Sequence, residues 1–232
     1  MLDLNPRLIV VLIAFPIVVG IFVILGILVL RKDINYWGNR LYALFFWIVA
    51  AGLAFNVVYA LFDNLIIIRN FNITTIECVN IGIIALFLGN LVIYKGEHEI
   101  TRNKRVYFFG VLMILTIIAH ICTPKVITST EEPQLMWKLP FGLFELIFSQ
   151  MFLGIIIYFS LIFYRELTPE LQKKFRRYII GLTLLDVALL LIILGNMHII
   201  PTSEISISII LFLCLVLGAL LIYLGIVRQK GK

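Results

Sequence analysis

Eight hydrogen-bonding or ionisable side chains interrupt long apolar stretches of the sequence, and these are the residues that could do binding chemistry. They are Asn56, Tyr59, Glu77, Asn80, His120, Glu145, Gln150 and Asp186. Such groups are costly in an apolar medium, about 2.5 to 3.5 kcal/mol for Asp at the centre of a membrane helix, so they usually face other helices and find partners. Gathered together, they could bind a small polar ligand.

Helical spacing places several of these residues on common faces. Side chains three, four or seven positions apart share one face of a helix. The sets with this spacing are Asn56 with Tyr59 and Asp63, Glu77 with Asn80, and Glu145 with Ser149. One interpretation is a polar pocket with Gln150 and Asp186 near its floor. The other is that these groups only cross-link helices, where a hydrogen bond contributes about 0.6 kcal/mol on average.

Known catalytic patterns are not found in the sequence. It has no Gly-x-Ser-x-Gly, His-Glu-x-x-His or phosphate-binding loop. No lysine falls within an apolar run, which removes the anchor of a retinal Schiff base. The histidines, His98, His120 and His198, are too far apart in the expected topology to share one metal ion. We therefore expect no enzyme activity, no metal and no cofactor.

The apolar stretches require a membrane as their solvent. The chain has 232 residues, of which 62% are hydrophobic and 14% charged, and its mean hydropathy is +1.09. Runs such as residues 8–13 are apolar on every side, which is typical of membrane helices and not of barrel strands. The sequence predicts an all-α polytopic membrane protein, a single domain over residues 1–232. Its seven spans are expected at about 8–30, 41–62, 73–94, 106–122, 141–164, 178–195 and 205–227.

The basic residues predict the orientation of this seven-helix bundle. Fifteen of the 19 Lys and Arg fall in connections one, three and five or in the tail. Because short basic loops stay cytoplasmic, the N-terminus is expected outside and the C-terminus in the cytoplasm of a multi-pass cell-membrane protein. The basic surface would bind anionic lipid head groups, not nucleic acid. Its densest part, predicted to contact lipid or a protein partner, is Arg165, Lys173, Lys174, Arg176 and Arg177. The segment opens with Thr168 as a plausible cap and with Pro169 and Glu170 in the first turn, and it is predicted to form a basic helix that runs straight into the sixth span.

On this topology the polar residues crowd toward the outer half of the bilayer, with Asn90 as the exception at the inner end. A pocket would therefore open outward, although Glu77 and Glu145 lie near enough to the outer ends to be solvated by water. Pro16 should kink the first helix, as a hinge or as a packing feature. Cys78 and Cys122, near the same face, form either one bridge or two buried thiols.

Two segments carry a family resemblance. They are residues 167–177, Leu-Thr-Pro-Glu-Leu-Gln-Lys-Lys-Phe-Arg-Arg, and residues 217–225, Leu-Gly-Ala-Leu-Leu-Ile-Tyr-Leu-Gly. With the short loops, they resemble the seven-helix membrane sensor region at the N-terminus of bacterial and archaeal histidine kinases. The resemblance implies a non-enzymatic sensing module. No kinase domain precedes Lys232, so the signal would pass to a separate cytoplasmic protein.

Three functions remain compatible with the sequence. The first is a receptor-like signalling module, with a polar pocket facing outward and basic cytoplasmic loops that contact a partner. The second is a small-solute or proton transporter or channel with Asp186 and Glu145 along its path, which needs polar groups that continue to the inner side. The third is a structural subunit whose partners bury the polar faces.

Overall fold

The computed structural model describes residues 10–62, 64–96, 110, 114, 126–127, 136–199 and 205–226. Within these ranges six helices are long and apolar enough to cross a membrane, which confirms a multi-pass helical protein. The helices are α1 (Phe15–Lys32), α2 (Trp37–Tyr59), α3 (Leu65–Lys95), α4 (Leu139–Glu166), α5 (Pro169–Asn196) and α6 (Ile205–Gly225). The fourth predicted span, residues 106–122, lies outside the described residues except for Gly110 and Ile114. A seventh helix and the orientation stay predictions.

Two short features besides the α-helices were not expected from the sequence. A π-helical segment, Val10–Ala14, leads directly into α1. Two strands, β1 (Val126–Ile127) and β2 (Met136–Trp137), form an antiparallel pair in which Val126 faces Trp137. The pair lies in the longest predicted connection and places the indole of Trp137 against the helices.

The described helices pack in chain order and close into a ring. Each helix contacts the next one along the chain, and α6 contacts α1. Turns between α1 and α2 and between α4 and α5 lie at one end of the bundle, together with Lys95 and Tyr223. We call this the basic end, and we call the opposite end, which holds the turn between α2 and α3, the cavity end.

The helices carry large apolar side chains on two surfaces, one buried inside the bundle and one exposed on its outside. The interior holds large side chains less than 2% exposed, among them Phe22, Phe46, Ile84, Leu182 and Ile222. By contrast, Ile66, Ile147 and Leu61 are 71%, 65% and 64% exposed. A water-soluble protein would not present so many large apolar side chains on its surface. Such a surface suits a multi-pass membrane protein, whose spans are surrounded by acyl chains and not by water.

Helix α3 is longer than its apolar run. The sequence predicts a span from residue 73, but α3 begins at Leu65. The Asn64 side chain accepts hydrogen bonds from the backbone nitrogens of Ile66 and Ile67 at 2.9 and 3.4 Å, which satisfies donors at the helix start. This extra length carries Asn72 into the bundle.

Helix α5 is continuous from the basic segment through the membrane span, as the sequence predicts. Pro169 and Glu170 occupy its first turn. Thr168 stands at the N-cap position, but its side chain makes no capping hydrogen bond, so that part of the prediction is wrong. The Thr168 carbonyl instead accepts from the Gln172 nitrogen at 2.8 Å.

Helices α5 and α6 approach each other through glycines. A Cβ atom added to Gly225 would lie 2.3 Å from the backbone nitrogen of Tyr178, and one added to Gly181 would lie 2.7 Å from the carbonyl oxygen of Gly218. Small residues let membrane helices pack backbone to backbone, where dispersion contacts drive association. At the same end, the Lys32 ammonium donates to the Tyr223 carbonyl at 3.2 Å and joins α1 to α6.

Candidate functional site

A cavity of about 150 Å³ lies at the cavity end of the bundle. All six described helices and strand β2 contribute to its wall, so a molecule inside it would contact most of the fold. Its polar lining residues are Asn56, Tyr59, Asn72, Thr75, Asn80, Glu145, Ser149, Asn196 and Ser208. Its apolar and aromatic wall includes Phe15, Leu53, Ile76, Val79, Trp137, Leu189, Ile192, Ile193 and Leu211.

Glu145 and Asn80 form the most strongly buried polar pair of the cavity. Their exposed fractions are 3% and 2%. The Asn80 amide nitrogen of α3 donates to the two carboxylate oxygens of Glu145 on α4, at 3.4 and 3.1 Å. Because burying a carboxylate without hydrogen bonds is very costly, this contact holds Glu145 in the cavity wall. Glu145 is therefore not solvated by bulk water, which was one of the two interpretations of the sequence.

Asn72 organises the aromatic side of the cavity. Its amide nitrogen donates to the Tyr59 hydroxyl at 3.5 Å, and its carbonyl oxygen accepts from the Trp137 indole nitrogen at 3.4 Å. The Asn72 and Trp137 side chains are 5% and 4% exposed. Trp137 also contacts the Phe141 ring edge to face, with centroids 5.0 Å apart. One amide therefore joins α2, α3 and the strand pair.

Thr75 fixes α3 against α2 beside the cavity. Its hydroxyl lies 3.0 Å from the carbonyl oxygen of Gly52 on α2 and 3.0 Å from that of Phe71 on its own helix. A Cβ atom at position 52 would lie 3.0 Å from the Thr75 carbonyl oxygen, so a larger residue would push the helices apart. The close contact sets the width of the cavity on this side.

The structure brings together half of the predicted pocket residues. Asn56, Tyr59, Asn80 and Glu145 line the cavity. Gln150 and Asp186 do not line it; the Gln150 amide donates to the Asp186 carboxylate at 2.8 Å and links α4 to α5. Glu77, on α3, is also not part of the lining. His120 lies outside the described residues, as does Asp63.

Sequence reasoning missed several lining residues. Asn72 precedes the span that was predicted to begin at residue 73, Trp137 lies in a predicted loop, and Asn196 follows a span predicted to end at residue 195. Thr75 and Ser208 lie within apolar runs, where hydroxyl groups usually bond their own helix. Ser149, which shares a helix face with Glu145 through its i, i+4 spacing, also lines the cavity.

A second polar cluster, which we call the tyrosine cluster, lies at the basic end and consists of Tyr42, Asn90, Ser160 and Tyr178. The two tyrosine hydroxyls are 2.8 Å apart, and the Asn90 amide nitrogen donates to Tyr178 at 2.5 Å. The Ser160 hydroxyl donates to the Asn90 carbonyl oxygen at 3.4 Å. Both tyrosines are 0% exposed, so both rings lie inside the bundle. The cluster joins α2, α3, α4 and α5.

The basic residues around the start of α5 are exposed and lie directly beside the tyrosine cluster. The exposed residues are Arg165, Lys173, Lys174, Arg176 and Arg177. Phe175 points inward at 2% exposure and stacks on the Tyr178 ring with centroids 5.1 Å apart. The charged surface and the buried cluster are thus two faces of one helical turn.

Pro16 occupies the first turn of α1, immediately after the π-helical segment. Proline is tolerated there because a first-turn N–H needs no partner within the α-helix, and a hinge at this junction stays a prediction. Cys78 and Cys214 carry free thiols, and Cys122 lies outside the described residues. Within the described part of the chain, no three His, Cys, Asp or Glu side chains are grouped so that they could hold a metal ion.

Comparison of this chain with protein-family models, curated proteins and solved structures found no match. The resemblance to a kinase sensor region therefore rests on the two segments quoted above and stays a prediction. The features of the molecule that bear on its function are the cavity, the tyrosine cluster and the exposed basic residues.

Proposed function

We propose that this chain is a receptor-like sensor of the cell membrane, in which the cavity binds a small ligand from outside and the basic end faces the cytoplasm. The positive-inside rule supports the orientation, because eight described basic residues are exposed at the end opposite the cavity and only two, Arg69 and Lys138, are exposed at the cavity end. The size of the cavity supports binding of a small molecule, since a cavity of about 150 Å³ accepts a molecule the size of benzene.

The observation that carries this proposal is that α5 takes part in both sites and also carries most of the basic segment. Near its C-terminal end it lines the cavity with Leu189, Ile192, Ile193 and Asn196. Near its N-terminal end, the Tyr178 hydroxyl bonds α2 and α3. A ligand that contacts the cavity wall differently in two arrangements of α5 will shift the population between them. The tyrosine cluster then gains or loses hydrogen bonds.

The basic surface supplies the output of such a shift. Phe175 and Tyr178 lie on the buried side of the same turn that carries Lys174 and Arg177 on its exposed side. A change at Tyr178 therefore moves the charged groups that a cytoplasmic protein would contact. The same groups attract anionic lipid head groups, which hold the end of α5 at the membrane surface.

Distance measurements between spin labels test this proposal. The natural cysteines are replaced, and labels are attached at Arg40 on α2 and Arg177 on α5, both exposed. A ligand selected from a small-molecule library by its thermal stabilisation of the protein should change this distance by about 2 Å, the scale of helix shifts in allosteric proteins. Labels at Arg40 and Lys95 are the control, because α2 and α3 are expected to stay together.

The proposal fails if ligands bind and stabilise the protein but leave the distance between positions 40 and 177 unchanged. It also fails if both label pairs change equally, since that would indicate a general loosening of the bundle and not a movement of α5.

A transporter is the second candidate, and the tyrosine cluster is the observation that favours it. It supplies polar groups at the basic end, beside a small cavity of about 10 Å³ lined by Asn90 and Ser160. Phe87, which lines this small cavity, meets the Phe152 ring edge to face with centroids 5.3 Å apart, and a solute moving between the two cavities would have to displace these rings. Uptake of a bound ligand into proteoliposomes would favour transport, because a receptor moves nothing.

A further inference from the structure

We propose that the large cavity binds a small neutral amide, whose N–H and C=O groups bond the side chains of Asn56 on α2 and Asn196 on α5. This inference rests on the proposed function, because it assigns a chemical class to the ligand of the same site. Three features of the cavity support it: two asparagine amides that the fold does not use, the apolar residues beside them, and the volume.

Four asparagines contribute to the cavity wall, and the fold uses only two of them. Asn72 and Asn80 each bond other side chains of the wall. The hydroxyl and carboxyl groups of the wall also interact within the protein. By contrast, the side-chain amides of Asn56 and Asn196 have no hydrogen-bond partner among the residues that the structure describes. These two amides are therefore the polar groups of the wall that are left for a ligand.

An asparagine amide selects a partner that offers both a donor and an acceptor. It has two N–H donors and one carbonyl oxygen with two lone pairs. A second amide matches it, because the ligand N–H bonds the asparagine oxygen while the ligand carbonyl accepts from the asparagine nitrogen. A ketone supplies only the acceptor and leaves the asparagine oxygen unpaired, which lowers affinity.

The charge of the wall favours a neutral ligand over an anion. Among the described residues that line the cavity, none is Lys, Arg or His. A carboxylate or phosphate would therefore leave water for a largely apolar site that offers it no positive charge, and this transfer is costly. A neutral amide does not meet this penalty.

Apolar residues continue the helix faces that carry the two amides. On α2, Leu53 lies three residues before Asn56, and on α5, Leu189 and Ile192 lie seven and four residues before Asn196. In both helices the asparagine lies nearer the C-terminal end, at Tyr59 in α2 and at Asn196 itself in α5. The ligand should therefore place its amide toward the cavity end and its apolar body farther into the bundle.

The volume limits the ligand to one small ring. A cavity of about 150 Å³ has the size of an engineered cavity that binds benzene. A six-membered ring that contains the amide within it meets this limit. δ-Valerolactam has this form, with the N–H and the C=O side by side and an apolar chain that closes the ring.

A ligand bound in this way would join α2 to α5. At the basic end these two helices are already joined by the hydroxyls of Tyr42 and Tyr178, which lie 2.8 Å apart. A second link at the cavity end would constrain both helices at both ends. The distance between positions 40 and 177 should therefore respond to this class of ligand.

Binding of matched six-membered rings to the full chain in lipid nanodiscs tests the assignment. δ-Valerolactam offers a donor and an acceptor, cyclohexanone the acceptor alone, and methylcyclohexane neither. Protonated cyclohexylamine and cyclohexanecarboxylate are the charged probes. We expect the lactam to bind about three- to tenfold more tightly than cyclohexanone, the scale of one net hydrogen bond, and more tightly than either charged probe. Isothermal calorimetry measures the affinities, and empty nanodiscs correct for partition into lipid.

Variants of the two asparagines complete the experiment. Asn56→Leu and Asn196→Leu replace each amide with an apolar side chain of similar size, and each should weaken the lactam at least about threefold. Methylcyclohexane should change less than about twofold, and in the double variant the lactam and cyclohexanone should bind within about twofold of each other.

Asn70→Leu is the matched control, because Asn70 is exposed on α3 and does not line the cavity. It should leave the affinities of all the probes within about twofold. Circular dichroism confirms that each variant is folded. At a position where the leucine variant does not fold, Asn56→Ala or Asn196→Ala replaces it, with the same expected loss for the lactam.

Failure of the amide assignment and failure of the receptor proposal give different results. The assignment is overturned if the lactam binds no more tightly than cyclohexanone, if either charged probe binds more tightly than the lactam, or if either single variant keeps the full lactam affinity. Absence of lactam binding at millimolar concentration overturns it as well. If another ring then binds and changes the distance between positions 40 and 177, the receptor proposal stands. If the lactam binds as expected but the distance stays constant, the ligand class is right and the receptor proposal is wrong.

Discussion

Removal of the Tyr178 hydroxyl tests whether the tyrosine cluster joins the helices at the basic end. Tyr178→Phe deletes the oxygen that lies 2.8 Å from the Tyr42 hydroxyl and 2.5 Å from the Asn90 amide nitrogen. The ring remains, so the stacking on Phe175 and the packing of the fully buried side chain should be preserved. The substitution therefore isolates two hydrogen bonds.

The expected loss follows from these two contacts. A hydrogen bond between membrane helices contributes about 0.6 kcal/mol on average and at most about 1.7 kcal/mol. The substitution also leaves the buried Tyr42 hydroxyl without this contact, which adds a desolvation cost. Asn90 keeps its bond to the Leu86 carbonyl at 3.0 Å, which limits that cost. We expect Tyr178→Phe to lower the free energy of unfolding by about 1 to 2 kcal/mol.

Reversible unfolding in mixed micelles, titrated with sodium dodecyl sulfate, measures this quantity. A double-mutant cycle with Tyr42→Phe should show a coupling energy of about 0.6 kcal/mol, because the two hydroxyls share one hydrogen bond. Tyr158→Phe is the matched control, since that side chain is 62% exposed and should change stability by less than about 0.5 kcal/mol. A loss below about 0.3 kcal/mol in Tyr178→Phe, within the error of additivity, would refute the view that this cluster links the helices.

The other two predictions concern packing and orientation. Gly225→Ala places a methyl group 2.3 Å from the Tyr178 backbone nitrogen and should destabilise the protein by about 1 to 3 kcal/mol in the same titration. The control is Gly154→Ala, whose methyl group meets nothing within 4 Å and which should be neutral or stabilising. Equal effects of the two substitutions would contradict the close approach of α5 and α6. Orientation is tested with single cysteines introduced into a variant of the protein whose natural cysteines have been replaced. In intact cells, a membrane-impermeant maleimide should label Asn64→Cys and not Lys173→Cys, both at exposed positions. The reverse pattern would invert the proposed orientation.

The membrane spans could be predicted from the sequence because hydropathy alone decides them. The described helices agree with six predicted spans to within a few residues, except where polar residues extend a helix. Helix α3 begins at Leu65, eight residues before its predicted start, because Asn64 caps it and because Arg69, Asn70 and Asn72 hide the helical segment from a hydropathy reading. Helix α5 begins at Pro169, nine residues before its predicted span, because the charged residues of the basic segment lower the local hydropathy, although its continuity was predicted.

The site was only partly predictable because spacing places a residue on a face but does not say which neighbour that face meets. Glu145 and Asn80 were identified from their burial cost, and the structure joins them. Gln150 and Asp186 share the same chemistry, yet they satisfy each other away from the cavity. Trp137 could not be placed, since its position depends on the pairing of two very short strands. That pairing leaves no periodic pattern in the sequence.

Tyr42 and Tyr178 show the limit of statistical preferences in membranes. Tyrosine near the end of a span is usually an interfacial residue. Here each ring is buried because its hydroxyl finds a partner inside the bundle, and this removes the cost that would otherwise drive it toward water. The sequence signal for this burial was Asn90, whose amide lies at the same depth of the bundle as the two tyrosines and can bond a tyrosine hydroxyl.

The burial of Asn72 has a consequence for producing the protein. Residues 72–74, Asn-Ile-Thr, match the acceptor pattern for N-linked glycans. In the folded chain, however, the Asn72 amide is 5% exposed and holds Tyr59 and Trp137. A transferase cannot reach it there. A sugar attached at this position in a eukaryotic host would mark chains modified before α3 packed, and its bulk would keep the aromatic wall from assembling.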